Sequence, residues 1–213
     1  MQYGVDIAST RLDDLDKRVI SSVEAMVAAS KRPRLLDVGC GQGGLTVALA
    51  VGGASVVALD INDYEESINE RLKTQGLSHD TVNFIEADIR EWLKSNTESF
   101  DRVVLQRVLH YLKYTEAIEV LTQLRSRTSH LFVAVSGLNT AIGEHYVAGG
   151  LPVGERWGKL DTAGQEKFSI TAPLCLYTES ELRELLMKTG WQIEWLRVSD
   201  FGNIKVEVIS NGR

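Results

Sequence analysis

The chain is poor in cysteine and has no long apolar run. Only two of its 213 residues are cysteines, too few for a disulfide framework, so we expect a reducing, cytoplasmic environment. Hydrophobic residues make up 44% of the sequence, but they never form the run of about 18 that a membrane helix needs. Residues 1–6 do not resemble a signal peptide. We therefore expect no membrane partner.

The chain also lacks an excess of positive charge. It has 29 acidic and 23 basic side chains and a formal net charge of -6, so no general attraction to a phosphate backbone and no nucleic-acid partner are predicted. Its four histidines are scattered, and neither a metal-ligand spacing nor an internal repeat is visible. We therefore expect no bound metal. The length predicts a single domain over residues 1–213 and leaves the oligomeric state open.

The most informative stretch is residues 35–44, which run from an apolar strand through a glycine turn into a helix. Gly39, Gly41 and Gly43 allow positive φ and let a ligand approach the backbone closely. Because Gly44 completes a G-x-G-x-x-G spacing, a dinucleotide site stays open. Asp37 stands two residues before the first glycine, where its carboxylate would repel a pyrophosphate. A ligand that carries positive charge suits this position better.

The acidic-x-Gly-x-Gly-x-Gly pattern of residues 37–43 resembles the first motif of the class I, Rossmann-like methyltransferases that use S-adenosylmethionine. The resemblance is greatest to the enzymes of this family that methylate small molecules. It implies S-adenosylmethionine as cofactor, S-adenosylhomocysteine as product and a small-molecule methyl acceptor. Two alternatives stay open, an NAD(P)-dependent oxidoreductase and a noncatalytic protein that binds S-adenosylmethionine or a nucleoside.

Acidic residues at the ends of the next two strands extend the predicted cofactor site. Asp60 lies about twenty residues beyond the first glycine, the interval at which an acid meets ribose hydroxyls. We expect it to serve the ligand and to matter little for the stability of the apo protein. By the resemblance, Asp88 receives the adenine amino group and Ile89 presents its backbone N–H to the ring. The alternative for both acids is a helix cap, and capping does not exclude adenine binding at Asp88.

The resemblance gives the complete set of predicted cofactor contacts. Cys40 is expected to be a small turn residue and not a nucleophile. The predicted contacts are Asp37, Gly39, Cys40, Gly41, Gly43, Asp60, Ile61, Asp88, Ile89 and Gln106.

The order of the elements predicts an α/β fold. Strands at 55–60, 82–88, 100–106 and 130–136 follow the first one and alternate with helices. A last helix begins at a capping box near Thr178, and strands at 191–198 and 204–210 follow it across a link too short for a crossover helix. We predict a doubly wound, mostly parallel seven-stranded sheet with a C-terminal antiparallel β-hairpin and helices on both faces.

The single domain is predicted to have four parts. Residues 1–33 form a helical segment, with a helix from about Arg11 to Ala29 and Thr10 as its cap. Residues 34–136 form the cofactor-binding core, and residues 178–213 form the last helix and the hairpin. Residues 137–177 have no clear period but carry several aromatic side chains, so we interpret them as a substrate lid. A satellite core cluster under a loop is the alternative.

A general base is needed only for an acceptor that starts out protonated. His110 is the first candidate because an imidazole titrates near neutral pH and this residue follows the fourth strand. A surface position on a helix is the alternative for it. His145 and Tyr146 in the lid are the next candidates, and Tyr3 and Arg11 are possible pocket residues. The stretch after the fourth strand lacks the Pro-Pro-aromatic motif of nucleic-acid amino methyltransferases.

Overall fold

The computed structural model describes residues 2–4 and 12–210. Its seven strands form one sheet, in the order β3 (Val82–Glu86), β2 (Ser55–Asp60), β1 (Arg34–Val38), β4 (Arg102–Gln106), β5 (His130–Ser136), β7 (Asn203–Ile209) and β6 (Gln192–Val198). β1 pairs in parallel with β2 and β4, and β2 pairs in parallel with β3. The predicted α/β fold, with its mostly parallel sheet and antiparallel end, is confirmed.

The chain divides into two compact units, one of residues 6–105 and 126–132, the other of residues 1–5, 106–125 and 133–213. The single domain stays a prediction.

The first unit contains the glycine turn and the strands on either side of it. Valines and leucines occupy most of the middle positions of β1, β2 and β4, and these positions are buried. Its elements are α1 (Asp14–Ala28), β1 (Arg34–Val38), α2 (Gly44–Val51), β2 (Ser55–Asp60), α3 (Glu65–Thr74), β3 (Val82–Glu86), α4 (Ile89–Ser95) and β4 (Arg102–Gln106), whose last residue belongs to the other unit. β3 and β4 are each two residues shorter than predicted.

The N-terminal helix begins later than predicted. α1 starts at Asp14, and its cap is Asp13, so the prediction of Thr10 as the cap was wrong. The Asp13 carboxylate accepts hydrogen bonds from the backbone N–H groups of Leu15 and Asp16, while the Asp16 carboxylate accepts one from the N–H of Asp13. This reciprocal pair satisfies more of the unpaired N–H groups than a lone threonine. Thr10 and Arg11 lie outside the described residues.

The second unit contains the end of the sheet and the predicted lid. Its elements are α5 (Tyr114–Leu124), β5 (His130–Ser136), whose last four residues belong to this unit, α6 (Thr162–Phe168), α7 (Glu179–Lys188), β6 (Gln192–Val198) and β7 (Asn203–Ile209). β6 and β7 pair antiparallel, and Thr178 and Glu181 form the capping box of α7. Both predictions are confirmed.

The segment between β5 and α7 has a core of its own. Tyr146, Leu160, Ile170, Leu174 and Leu176 are buried together with Ala148, and Phe168 packs against them. The segment also contains α6 and a 3-10 turn at Gly143–His145. The predicted alternative, a satellite core cluster of aromatic and aliphatic residues, is therefore present. The role of the segment as a substrate lid stays a prediction.

No helix within residues 2–4 and 12–210 combines the length and the apolar composition needed to cross a membrane.

Candidate functional site

The glycine turn after β1 has the left-handed backbone that its sequence predicts. Gly39, Gly41 and Gly43 have φ angles of 71°, 52° and 82°. The N–H groups of Gly39 and Cys40 donate to the carbonyl oxygen of Leu59 at 2.7 and 3.2 Å, which ties the turn to β2. Cys40 is buried and its thiol is not part of a disulfide, as expected for a small turn residue.

Gly43 also allows a close approach between the turn and α3. A Cβ atom at this position would lie 2.5 Å from Cγ1 of Ile68, whose side chain is buried. Since real carbon atoms do not approach this closely, only glycine fits without a shift of α3.

Gly43→Ala is expected to lower the free energy of unfolding by roughly 2–5 kcal/mol, because a left-handed residue and an overpacked contact each carry a cost. Gly76→Ala is the matched control, since Gly76 also has positive φ but has open space around its Cβ position. In the control the free energy of unfolding should fall only by the cost of the left-handed backbone, about 1–2 kcal/mol. Urea denaturation measures both, and equal losses would contradict the role of the Ile68 contact.

Asp60 at the end of β2 turns its carboxylate toward the glycine turn. One carboxylate oxygen accepts the N–H of Gly41 at 3.0 Å, and the other accepts the N–H of Asn62 at 3.0 Å. Burial raises the pKa of Asp60 above its usual value, although these hydrogen bonds oppose the shift. Because the side chain connects β2 to the turn, we now expect Asp60 to contribute to apo stability as well as to ligand binding.

Asp37 is a buried carboxylate on β1. Its side chain is 2% exposed and accepts a hydrogen bond of 2.6 Å from Oγ1 of Thr46 on α2. Burying a carboxylate is costly without partners, so the Thr46 hydroxyl helps to hold it in place. The sequence analysis missed Thr46, although its spacing of nine residues from Asp37 across a strand, turn and helix could have suggested it.

Asp88 is the cap of α4, which was the alternative interpretation of this residue. It accepts the backbone N–H of Arg90 at 2.9 Å, and the Arg90 guanidinium donates to both of its oxygens. These Arg90 contacts lower the pKa of Asp88. Ile89 has a buried side chain, whereas Ile61, directly after β2, is 45% exposed. The contacts of these residues with adenine stay predictions.

His110 lies in the second unit and is buried. The alternative interpretation, a histidine on a helix surface, is therefore wrong. Its side chain is 2% exposed, and its Nδ1 atom accepts the backbone N–H of Ser136 at 3.2 Å. Burial, assisted by the charge of Arg107, lowers the pKa of His110 to about 3. The imidazole is therefore neutral and carries its proton on Nε2. This arrangement makes His110 a hydrogen-bond donor and a weak candidate for a base.

The two lid candidates differ from each other. Tyr146 is buried, and its hydroxyl donates to backbone carbonyl oxygens of Arg156 and Leu174. Burial raises the pKa of Tyr146 far above its usual value, so this phenol is structural and unsuited to act as a base. His145 instead has Nδ1 within 3.1 Å of Oδ1 of Asp161, which leaves its Nε2 atom as the possible proton acceptor.

Residues directly after β4 carry a feature that the sequence analysis missed. Gln106 ends β4, and its predicted cofactor contact stays a prediction. Arg107 follows with φ 60°, a left-handed conformation that costs a residue with a side chain about 1–3 kcal/mol. Nearby, the Tyr3 and Tyr111 rings meet edge to face at 5.1 Å. The Tyr111 hydroxyl donates to the Tyr3 carbonyl oxygen.

Comparison with known proteins agrees with this architecture. Residues 35–129 match the family model described as "Methyltransferase domain". The chain is 30% identical over 163 residues to the ubiquinone biosynthesis O-methyltransferase of Hahella chejuensis, covering 72% of this chain and 63% of the relative. It is 26% identical over 175 residues to ribosomal RNA small subunit methyltransferase A of Geobacter sulfurreducens, covering 82% and 58%. The chain thus spans about three fifths of these curated relatives.

Solved structures give the same fold. Magnesium protoporphyrin IX methyltransferase of Synechocystis with bound S-adenosylhomocysteine has a TM-score of 0.65 at 18% identity, over 94% of this chain and 89% of that one. The 1,6-didemethyltoxoflavin-N1-methyltransferase of Burkholderia thailandensis has a TM-score of 0.67 at 15% identity, over 97% and 82%. The chain therefore has the fold of these methyltransferases, and its residues 35–129 match the methyltransferase-domain model.

Proposed function

We propose that the protein transfers the methyl group of S-adenosylmethionine to a small-molecule acceptor and releases S-adenosylhomocysteine. The observation that carries this proposal is the hydrogen bond between Asp60 and the N–H of Gly41. In a dinucleotide site the backbone at the second glycine approaches the pyrophosphate. Here that N–H already binds a carboxylate, whose charge would repel a diphosphate and suits ribose hydroxyls.

The residues of the first unit would hold the cofactor. Asp60 would accept hydrogen bonds from the ribose hydroxyls through lone pairs not used by the backbone. Ile61 would pack its exposed side chain on the adenine ring, while Asp88 and Ile89 would bind its polar edge. Asp37 is assigned to the amino-acid end, where its carboxylate would favour the ammonium group. The turn itself, from Gly39 to Gly43, would pass close to the ligand.

The reaction is a single displacement. The acceptor's electron pair forms a bond to the methyl carbon, the carbon–sulfur bond breaks, and its electrons neutralise the sulfonium as a thioether. The protein's contribution is chiefly to hold the two reactants in line, which can lower the barrier by several kcal/mol.

An acceptor that starts out protonated must lose a proton, and we assign the base to His145. Its Nδ1 atom faces the Asp161 carboxylate at 3.1 Å, which would fix the proton on Nδ1 and direct the lone pair of Nε2 outward. Tyr146 lacks such an arrangement, and His110 has its acceptor nitrogen occupied by Ser136. His110 is better suited to donate a hydrogen bond through Nε2.

The nature of the partners is part of the proposal. A net charge of -6 supports a small molecule over a nucleic acid as acceptor, although one curated relative is named as a ribosomal RNA methyltransferase. Both cysteines, Cys40 and Cys175, are free, which supports a cytoplasmic location.

S-adenosylmethionine and S-adenosylhomocysteine are expected to bind at least about tenfold more tightly than NADH, a difference of about 1.4 kcal/mol. The carboxylates of Asp37 and Asp60 favour the cationic ligand and disfavour the diphosphate. Isothermal titration calorimetry measures all three affinities. Tighter binding of NADH would reject the proposed function. Conversion of S-adenosylmethionine to S-adenosylhomocysteine with a panel of acceptors would separate an enzyme from a noncatalytic binding protein.

A further inference from the structure

Arg107 has a backbone conformation that neither a helix cap nor a glycine explains. Within residues 2–4 and 12–210, the other non-glycine residues with positive φ are Ser30 and Ser169. Both follow the last residues of helices, where left-handed residues are common. Arg107 instead follows β4, and its N–H donates to the carbonyl oxygen of Ala134 at 2.8 Å. Residues held in this way cluster at ligand sites.

Arg107 is half-buried, and its guanidinium has no counter-ion within residues 2–4 and 12–210. In the part of the chain that the structure describes, no side chain or carbonyl group forms a hydrogen bond or an ion pair with it. Its charge acts on His110 and Tyr111, and burial keeps both of them neutral. Cations that are buried are normally paired. Arg156, in the same unit, illustrates the rule, because its guanidinium binds the carboxylate of Glu181.

The aromatic ring of Tyr111 lies within electrostatic reach of this charge. The Tyr111 ring packs against His110 at 4.4 Å and against Tyr3 at 5.1 Å. The Tyr111 hydroxyl already donates to the Tyr3 carbonyl oxygen, so it is not available to neutralise or solvate an anion. The guanidinium therefore offers the strong donors of this cluster, next to apolar ring surface.

We propose that Arg107 binds an anionic group of the methyl acceptor, a carboxylate or a phosphate, next to the rings of Tyr111 and Tyr3. The proposal rests on the proposed function and deepens it, since it gives the chemical class of the acceptor: a small acid with a flat apolar body. A guanidinium is suited to this task because its planar donors match both oxygens of a carboxylate. The left-handed backbone would fix the direction in which the side chain leaves β4.

The test uses simple anions, because they report on the site whatever the acceptor is. Benzoate and inorganic phosphate are titrated into the protein, with benzyl alcohol as the neutral counterpart of benzoate, while NMR follows the Nε–H resonances of the arginines. A saturable shift of Arg107 with benzoate or phosphate, at least about tenfold stronger than with benzyl alcohol, is expected. Calorimetry follows anion binding in the variants, and Arg107→Gln should abolish the binding of benzoate and phosphate. Arg125→Gln, which removes the same charge at an exposed position, should preserve it.

Arg107→Gly keeps the test independent of folding. Glycine adopts positive φ without strain, so this variant should unfold at the same or a higher temperature than the wild type, yet lose anion binding. Arg107→Lys should retain weaker binding, because one ammonium replaces a planar pair of donors.

Three outcomes would overturn the proposal: an Arg107 resonance that does not respond to either anion, an equal response to benzyl alcohol, or anion binding that persists in Arg107→Gly. Calorimetry with S-adenosylhomocysteine is run in parallel on each variant. Absence of its binding to the wild type would reject the proposed function, whereas a wild type that binds S-adenosylhomocysteine but neither anion would reject only the acceptor class.

Discussion

Asp60→Ala is expected to weaken the binding of S-adenosylhomocysteine by about 10- to 100-fold, or about 1.4–2.7 kcal/mol. Hydrogen bonds to a charged group contribute more than neutral ones, and the variant removes those that Asp60 would make to ribose. It also removes the acceptors of the Gly41 and Asn62 N–H groups, so the apo protein should lose about 1–2 kcal/mol of stability. Calorimetry and urea denaturation measure the two effects separately.

The matched control for this variant is Asp63→Ala. Asp63 is an exposed acid whose carboxylate accepts the local N–H of Glu65 at the start of α3, and its loss changes the net charge by the same amount. The control should bind S-adenosylhomocysteine as the wild type does. Unchanged affinity in Asp60→Ala, together with a large loss of apo stability, would make Asp60 a purely structural residue.

The pH dependence gives an independent check on Asp60. Its ionised form is the one that accepts hydrogen bonds from hydroxyls, and burial raises its pKa. Affinity should therefore fall as the pH drops through this raised pKa and recover above it. Asp60→Asn should remove this dependence. A wild-type affinity that stays constant down to the usual range of an exposed aspartate would contradict the assignment.

Glu181→Ala is expected to lower the free energy of unfolding by about 3–5 kcal/mol, because it leaves a buried charge without its partner. Arg156 is 5% exposed, and its two terminal nitrogens donate to the Glu181 carboxylate at 2.7 and 2.9 Å. The pair joins the lid segment to α7. Since about 1 kcal/mol corresponds to a shift of about 2–4 °C in a protein of this size, the melting temperature should fall by roughly 6–20 °C.

The cofactor should still bind to this variant at temperatures where it is folded. The residues assigned to ribose and adenine lie in the other unit, so affinity for S-adenosylhomocysteine should change by less than about threefold. Limited proteolysis should cut residues 137–177 faster than in the wild type. Glu179→Ala is the control, because its exposed pair with Arg183 contributes only about 0.5 kcal/mol. Similar losses in both variants would show that burial of the pair is unimportant.

Acidic pH should lower the free energy of unfolding for the same reason as Glu181→Ala does, because protonation removes the charge of Glu181. Burial opposes ionisation of Glu181, but the bonds from Arg156 and Thr178 outweigh it and lower its pKa. The stabilisation is thus complete above the pKa of the unfolded state and is lost as the pH falls through the lower pKa of the folded state.

Local sequence was sufficient wherever a residue's neighbours along the chain decide its structure. The glycines of the turn predicted left-handed backbone, and all three have it. β2 and β5 have the predicted bounds, and Thr178 and Glu181 form the predicted capping box. The errors at α1 and β3 have one cause. Each arose where an aspartate caps a helix. Asp13 caps α1, which therefore begins later than predicted, and Asp88 caps α4, so β3 ends before it.

The sequence by itself determined that this chain would form an alternating α/β sheet with a glycine turn suited to a cationic nucleoside and a hairpin at its end, because those features depend on residues close together in the chain. Tertiary structure decided which polar groups meet. Asp60 reaches Gly41 across 19 residues, His110 receives the N–H of Ser136 across 26, and Arg156 meets Glu181 across 25. Such partners determine whether a side chain is charged, neutral or unpaired, since burial and hydrogen bonding fix its protonation state. For that reason only the folded protein could show that Arg107 lacks a counter-ion among the described residues.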